Sequence, residues 1–157
     1  MNRFKGFTLI EMMIVVALLA IGAAIAMPGF QSMIQNNRLS TTTNTLLTGL
    51  QLARSEAVTT RSTVTVCGAN VAQDNCAGST NWNNGALIMQ GTTLLRALPV
   101  DAPGVSVTSS ANDVVYNSNG TAAAAATLTI SDSRGSAHER TITVNVIGPS
   151  CIGSGCP

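Results

Sequence analysis

The sequence predicts an α+β fold: one long N-terminal α-helix, membrane-spanning in its first half, packed on a C-terminal antiparallel β-sheet. Three observations predict it. An unbroken apolar run occupies Phe7 to Met27. A one-sided apolar stripe at helical spacing follows, between Leu39 and Ala57. From Thr63 onward, short stretches of Thr, Val, Ile and Leu alternate with turn residues.

Composition narrows the function classes. The chain has 157 residues, the span of one ordinary domain, and it is 45% hydrophobic but only 3% aromatic and 10% charged. A globular chain is about 25% charged. The formal net charge is +1. That balance argues against a protein that holds nucleic acid by bulk charge, and it excludes a highly charged disordered chain.

The run from Phe7 to Met27 carries one charge, Glu11. At 1.5 Å per residue it is about 32 Å long, enough to cross a bilayer core. Arg3 and Lys5 precede it, which places that end in the cytoplasm and the remainder across the membrane. The run is too long for a conventional secretory signal. Glu11 is out of place in it, because a carboxylate in an apolar span costs roughly 2.5–3.5 kcal/mol. Its natural partner is a cation at the same depth. A cut after Gly6 would create one, the free amine of Phe7, on its own or a neighbouring chain.

Gly29 to Arg61 continues as helix-compatible sequence, with Gly49 its one internal glycine after Gly29. Leu39, Leu46, Leu47, Leu50, Ala53 and Ala57 form the stripe that should pack on the sheet. Strands are expected at Thr63–Val66, Ala86–Met89, Leu94–Leu98, Val105–Thr108, Val114–Tyr116, Thr127–Ser131 and Thr141–Ile147. A turn at Gly91 makes the second and third a hairpin. The five alanines Ala122–Ala126 read as loop or as a buried small-residue edge.

The segment Lys5-Gly6-Phe7-Thr8-Leu9-Ile10-Glu11 resembles the class III signal of type IV pilins and type II secretion pseudopilins. The resemblance implies a prepilin peptidase that cuts between Gly6 and Phe7, N-methylation of Phe7, and pairing of Glu11 with a neighbour's N-terminus. Pro28 lies where that family often kinks its helix. Leu50-Gln51-Leu52-Ala53-Arg54-Ser55-Glu56-Ala57-Val58 and Trp82-Asn83-Asn84-Gly85 are similar to segments of the GspH/FimT/FimU-type minor pilins and pseudopilins. The implied fold is the type IV pilin fold. The implied organisation is a leader peptide at 1–6, a transmembrane and assembly helix at 7–27, its periplasmic continuation at 28–61, and a globular β-domain at 62–157. The implied location is the bacterial inner membrane, single-pass with the C-terminus periplasmic, and then a pilus or pseudopilus.

Cys67, Cys76, Cys151 and Cys156 lie beyond the span, on the side where disulfides persist. Four cysteines allow three connectivities. Closeness in sequence and turn-rich spacers favour Cys67–Cys76 and Cys151–Cys156. A metal site is not expected, since only His138 could help, and His138 reads as an exposed loop residue. No catalytic motif is present, so no enzyme activity and no cofactor are expected.

Three roles follow from the resemblance. The first is a minor pilin that primes a type IV pilus and joins its tip complex to the major pilin. The second is the H-type minor pseudopilin of a type II secretion system. The third is a DNA-capturing pilin. Partners in the first two are other minor pilins, the major pilin, the inner-membrane assembly platform, and the prepilin peptidase, which acts on this chain as substrate. Nucleic acid is not expected as a partner. DNA-binding members resemble one another in a basic C-terminal G-R-x-R, where this chain has Gly148-Pro149-Ser150-Cys151. Arg134 and Arg140 are the weak candidates for DNA contact, and Asp132 and Glu139 offset them.

Overall fold

The computed structural model describes residues 6–100 and 102–153, with Pro28 described by its backbone alone. The chain divides into two compact units between Asn36 and Asn37. The helix α1 (Leu9–Thr60) contributes to both.

In the first unit, the apolar side chains from Phe7 to Met27 are all exposed. Leu9, Leu19 and Ile25 have 80%, 67% and 75% of their surface free. No burial against this chain drives that part of the helix. It is long and apolar enough to cross a membrane, and its own backbone hydrogen bonds satisfy its peptide groups, as a hydrocarbon solvent requires.

In the second unit the same helix is amphipathic. Leu39, Leu46, Leu50, Ala53 and Ala57 are each at most 1% exposed and join the main core. The stripe has a gap after Leu39, which Thr42 and Thr43 fill as buried residues. Thr43 satisfies its hydroxyl by donating to Leu39 O at 2.6 Å. Leu47, expected in the stripe, is only partly buried. The helix ends where Arg61 turns left-handed (φ 51°) and Ser62 N–H donates back to Ala57 O at 3.2 Å. That is a Schellman-type closure of the last turn. Gln90 Nε2 donates to Thr60 Oγ1 at 3.2 Å and to Ser62 Oγ, which ties the helix end to a strand.

The β-region departs from the single sheet expected. It is built as two four-stranded antiparallel sheets. The strands are β1 (Val64–Gly68), β2 (Ala86–Gln90), β3 (Thr93–Leu98), β4 (Val105–Ser109), β5 (Asp113–Tyr116), β6 (Ala126–Asp132), β7 (Arg140–Val144) and β8 (Ser150–Ile152). One sheet has the order β3-β2-β1-β5 and the other β4-β6-β7-β8. Between β3 and β4 lie Pro99 and Pro103, which have no N–H to extend a ladder. There the chain leaves the first sheet, and only β5 returns to it. Inward-facing residues of both sheets meet in one core: Val64, Val66 and Ile88 from the first, Val107, Leu128, Ile130, Ile142 and Val144 from the second. Trp82, fully buried, lies against Gly68, where a Cβ would come within 2.5 Å of the indole.

Two further differences concern the C-terminus. The strand expected over Thr141–Ile147 stops at Val144, because Asn145 opens a turn: Gly148 N donates to Asn145 O at 2.8 Å and Asn145 N to Pro149 O at 2.9 Å. The chain then returns as β8, unforeseen from sequence, with Thr143 opposite Cys151. A three-residue strand of Ser, Cys and Ile carries too little alternation to announce itself. Of the alanine run, Ala122 is buried, Ala123 to Ala125 are exposed, and Ala126 opens β6.

Candidate functional site

The N-terminal segment shows why the helix starts where it does. Thr8 is the residue before the first turn, and its Oγ1 accepts from Glu11 N–H at 3.3 Å. The Glu11 carboxylate reaches back to accept from Thr8 N–H at 3.4 Å. These are the reciprocal bonds of a capping box, the pattern Thr-x-x-Glu. A carboxylate in the first turn also complements the positive end of the helix dipole. Glu11 therefore has a local role, in addition to the expected pairing with an amine. The Thr-x-x-Glu spacing of Thr8 and Glu11 is the sequence signal for it. Gly6 and Phe7 are exposed, and Phe7 has 77% of its surface free. The basic leader residues before Gly6 lie outside the described residues.

In the second unit, Cys67 and Cys76 are joined by a disulfide with Cα atoms 5.6 Å apart. The bridge closes the turn-rich loop after β1, where Ala69 and Cys76 also pair as an isolated bridge. Cys151 is disulfide-bonded as well. Its expected partner, Cys156, lies outside the described residues.

The two weak candidates for DNA contact differ. Arg134 is clamped on Asp132: Nε donates at 2.9 Å and Nη2 at 2.6 Å to the same carboxylate oxygen. The Arg134 hydrogen bond is also the main reason that the Asp132 carboxyl is held below its ordinary value. Arg134 is thus half of a neutral pair. Arg140 opens β7, opposite Ile130. His138 is exposed in the 3-10 turn Ser136–His138. Among the described residues there is no cluster of His, Cys, Asp and Glu that could hold a metal ion.

Arg54 was not foreseen as a site residue. Arg54 and Glu56 are two residues apart and so do not face each other on the helix. Arg54 Nε donates to Gly120 O at 2.8 Å. A Cβ on Gly148 would collide with that same carbonyl and lie 2.7 Å from Arg54 Nε. Two turns, around Gly120 and Gly148, therefore close on one guanidinium. Beside it Tyr116 is wholly buried, and burial pushes its phenol up to about 12, with Ser150 and Arg54 opposing the shift.

Comparison with known proteins rests on both units. The model of the family described as type II transport protein GspH matches residues 42–148. The chain belongs to the GspH family. A prokaryotic N-terminal methylation motif matches residues 1–27. The chain is also similar to the type IV major alpha-pilin of Moraxella bovis, 47% identical over 49 residues, and to a fimbrial protein of Moraxella nonliquefaciens, 55% identical over 40 residues. It spans 31% and 26% of those proteins' lengths. Among solved structures it is similar to the type IV minor pilin FimU of Pseudomonas aeruginosa. The TM-score is 0.63 at 19% identity, covering 78% of this chain and 92% of that one. At that identity the likeness shows the fold: a long N-terminal helix followed by antiparallel sheets, the type IV pilin fold. The GspH-family chain described here is accordingly a type IV pilin-like protein of the minor pilin and pseudopilin type. That family is one of structural subunits, which associate with other pilins in a pilus or pseudopilus.

Proposed function

We propose that this chain is a minor pilin of a type IV pilus, a structural subunit that primes assembly and joins the tip complex to the major pilin. The observation that carries this reading is its likeness to type IV pilins over 49 residues, taken with the methylation motif. The steps follow from the residues. A prepilin peptidase cuts between Gly6 and Phe7, and the new Phe7 amine is methylated. The apolar helix holds the subunit in the inner membrane, C-terminus periplasmic, until an assembly platform extracts it. Exposed faces of 7–27 are then buried against neighbouring pilins, and Glu11 neutralises a neighbour's amine. In hydrocarbon a carboxylate–ammonium pair removes the cost that each charge carries alone. Pro28 interrupts the hydrogen-bond ladder of the helix and marks where it can bend.

A second reading, the H-type minor pseudopilin of a type II secretion system, is favoured by the description of the matching family. Deletion in the host separates the two. Loss of twitching with normal exoprotein release supports the pilus; the reverse outcome supports secretion. DNA capture ranks third. Arg134 is already paired, and six acidic side chains balance six arginines from Pro28 onward, so few counterions would be released on DNA.

A further inference from the structure

Between the last turns of α1 and the β7–β8 turn lies a cleft of about 550 Å³, lined by Gln51, Arg54, Ser55, Val58, Pro149 and Ser150 among others. It lies wholly within the second unit. Arg54 spends Nε on Gly120 O, and its remaining guanidinium donors make no hydrogen bond among the described residues. Among the described residues, no carboxylate lines the cleft. Tyr116, at 0% exposure, has a hydroxyl without a hydrogen-bond partner among the described residues. The side chains that act on that hydroxyl are Ser150 and Arg54, both of which line the cleft. An orphan buried donor, a serine hydroxyl and an unpaired guanidinium thus meet at one place. A ligand oxygen that takes up the remaining Arg54 donors and the Ser150 hydroxyl gains charge-assisted hydrogen bonds there.

We propose that this cleft binds a carboxylate, the Asp or Glu side chain of a neighbouring subunit in the filament. Arg54 is the counter-ion. Ser150 donates its hydroxyl to the incoming oxygen, and the Tyr116 hydroxyl donates to Ser150 Oγ behind it. Tyr116 is here a positioning residue, since it is sealed from the cleft. The chemistry favours a carboxylate carried on a side chain. There is one cation, while Val58 and Pro149 supply apolar walls for the methylenes behind the acid. The volume is also too large for a bare ion. The occupant, though not the site, rests on the assembly reading above.

The test uses the full chain in detergent micelles, with N-acetylglutamate N-methylamide as probe, its glutamine analogue as neutral control, and inorganic phosphate as rival anion. NMR follows the Arg54 Nε–H and the ring of Tyr116, the single tyrosine. Saturable shifts with the glutamate probe, at least tenfold weaker with the glutamine analogue, are expected. Arg54→Gln should abolish them. Because that variant also loses the Gly120 contact, Gln51→Glu is the second variant. It places an acid three residues before Arg54 on the same helix face, so the chain fills its own site, and the probe shifts should vanish with Trp82 fluorescence unchanged. Shifts with phosphate but not with the glutamate probe overturn the carboxylate assignment, and no shifts at all overturn the site. In the host, Gln51→Glu should enter filaments several-fold less than wild type; equal incorporation overturns the neighbouring subunit as occupant. A wild-type chain that binds the probe yet joins no filament overturns the assembly reading and the occupant, while the site stands.

Discussion

Leucines at 9, 18 and 19 and leucines at 39, 46 and 50 belong to one helix, yet they meet different surroundings. The first three are at least 64% exposed within this chain; the last three are 1% exposed. Both stretches are apolar and both are helical, so apolarity alone does not say what a side chain packs on. In the second unit the polar face opposite the stripe dictates a core. In the first there is no polar face, and the partner has to be lipid or another chain. The same residue type therefore builds the core in one region and an exposed apolar surface in the other.

The largest way to break this comparison acts through Glu11. In the isolated chain its carboxylate caps its own helix. Glu11→Gln keeps a capping-box side chain but removes the charge. We expect a processed, membrane-resident protein of unchanged helix content that is almost absent from filaments. Incorporation at wild-type level would mean that the cap, and not the charge, is what assembly needs.

Next come paired substitutions on the two parts of the helix. Leu50→Ala should cost the second unit about 2–5 kcal/mol, the range for deleting a buried leucine side chain to alanine. Leu19→Ala should leave that unit's melting, followed by Trp82 fluorescence, within about 0.5 kcal/mol of wild type. Equal effects would show that 7–27 packs on the second unit in solution.

The alkaline limb sharpens the account of the core. Tyr116 has its folded pKa raised from 10.0 to about 12. Its contribution is fully present below pH 10 and is lost as pH rises from there toward 12. The shift corresponds to roughly 2–3 kcal/mol. Tyr116→Phe should remove this limb from urea titrations and change stability little at pH 7, since an orphan hydroxyl leaves with it.

Much of this was legible in the residues. The span was legible as an unbroken apolar run, the helix stripe from its three- and four-residue spacing, and seven of the eight described strands from short apolar or alternating stretches between turn residues. The Cys67–Cys76 pairing followed from proximity and turn-rich sequence. What stayed hidden depends on contacts made across the chain. Thr42 and Thr43 look polar, and the helix buries them because the gap in the stripe faces the sheet. The two-sheet split depends on which edge the chain joins after Pro99. The Arg54 clamp joins residues 66 apart in sequence, through two glycines whose positive φ has no periodic signature. The Glu11 cap is local, but the charge of a carboxylate in an apolar span is the more conspicuous signal and masks it.

The smallest expected effect concerns the one ion pair found among the described residues. Asp132 has its carboxyl lowered by Arg134. The sign is that of a depressed acid: the pair stabilises above the ordinary value of 3.8 and is lost as pH falls below it. Asp132→Asn should therefore leave melting at pH 7 nearly unchanged and flatten the decline of stability below pH 4. The same substitution frees Arg134 and raises the net charge of the second unit by one. If DNA capture were suppressed only by this pairing, Asp132→Asn should convert undetectable binding in a low-salt gel shift into a weak, salt-sensitive band. We expect no band, because one released guanidinium displaces too few counterions.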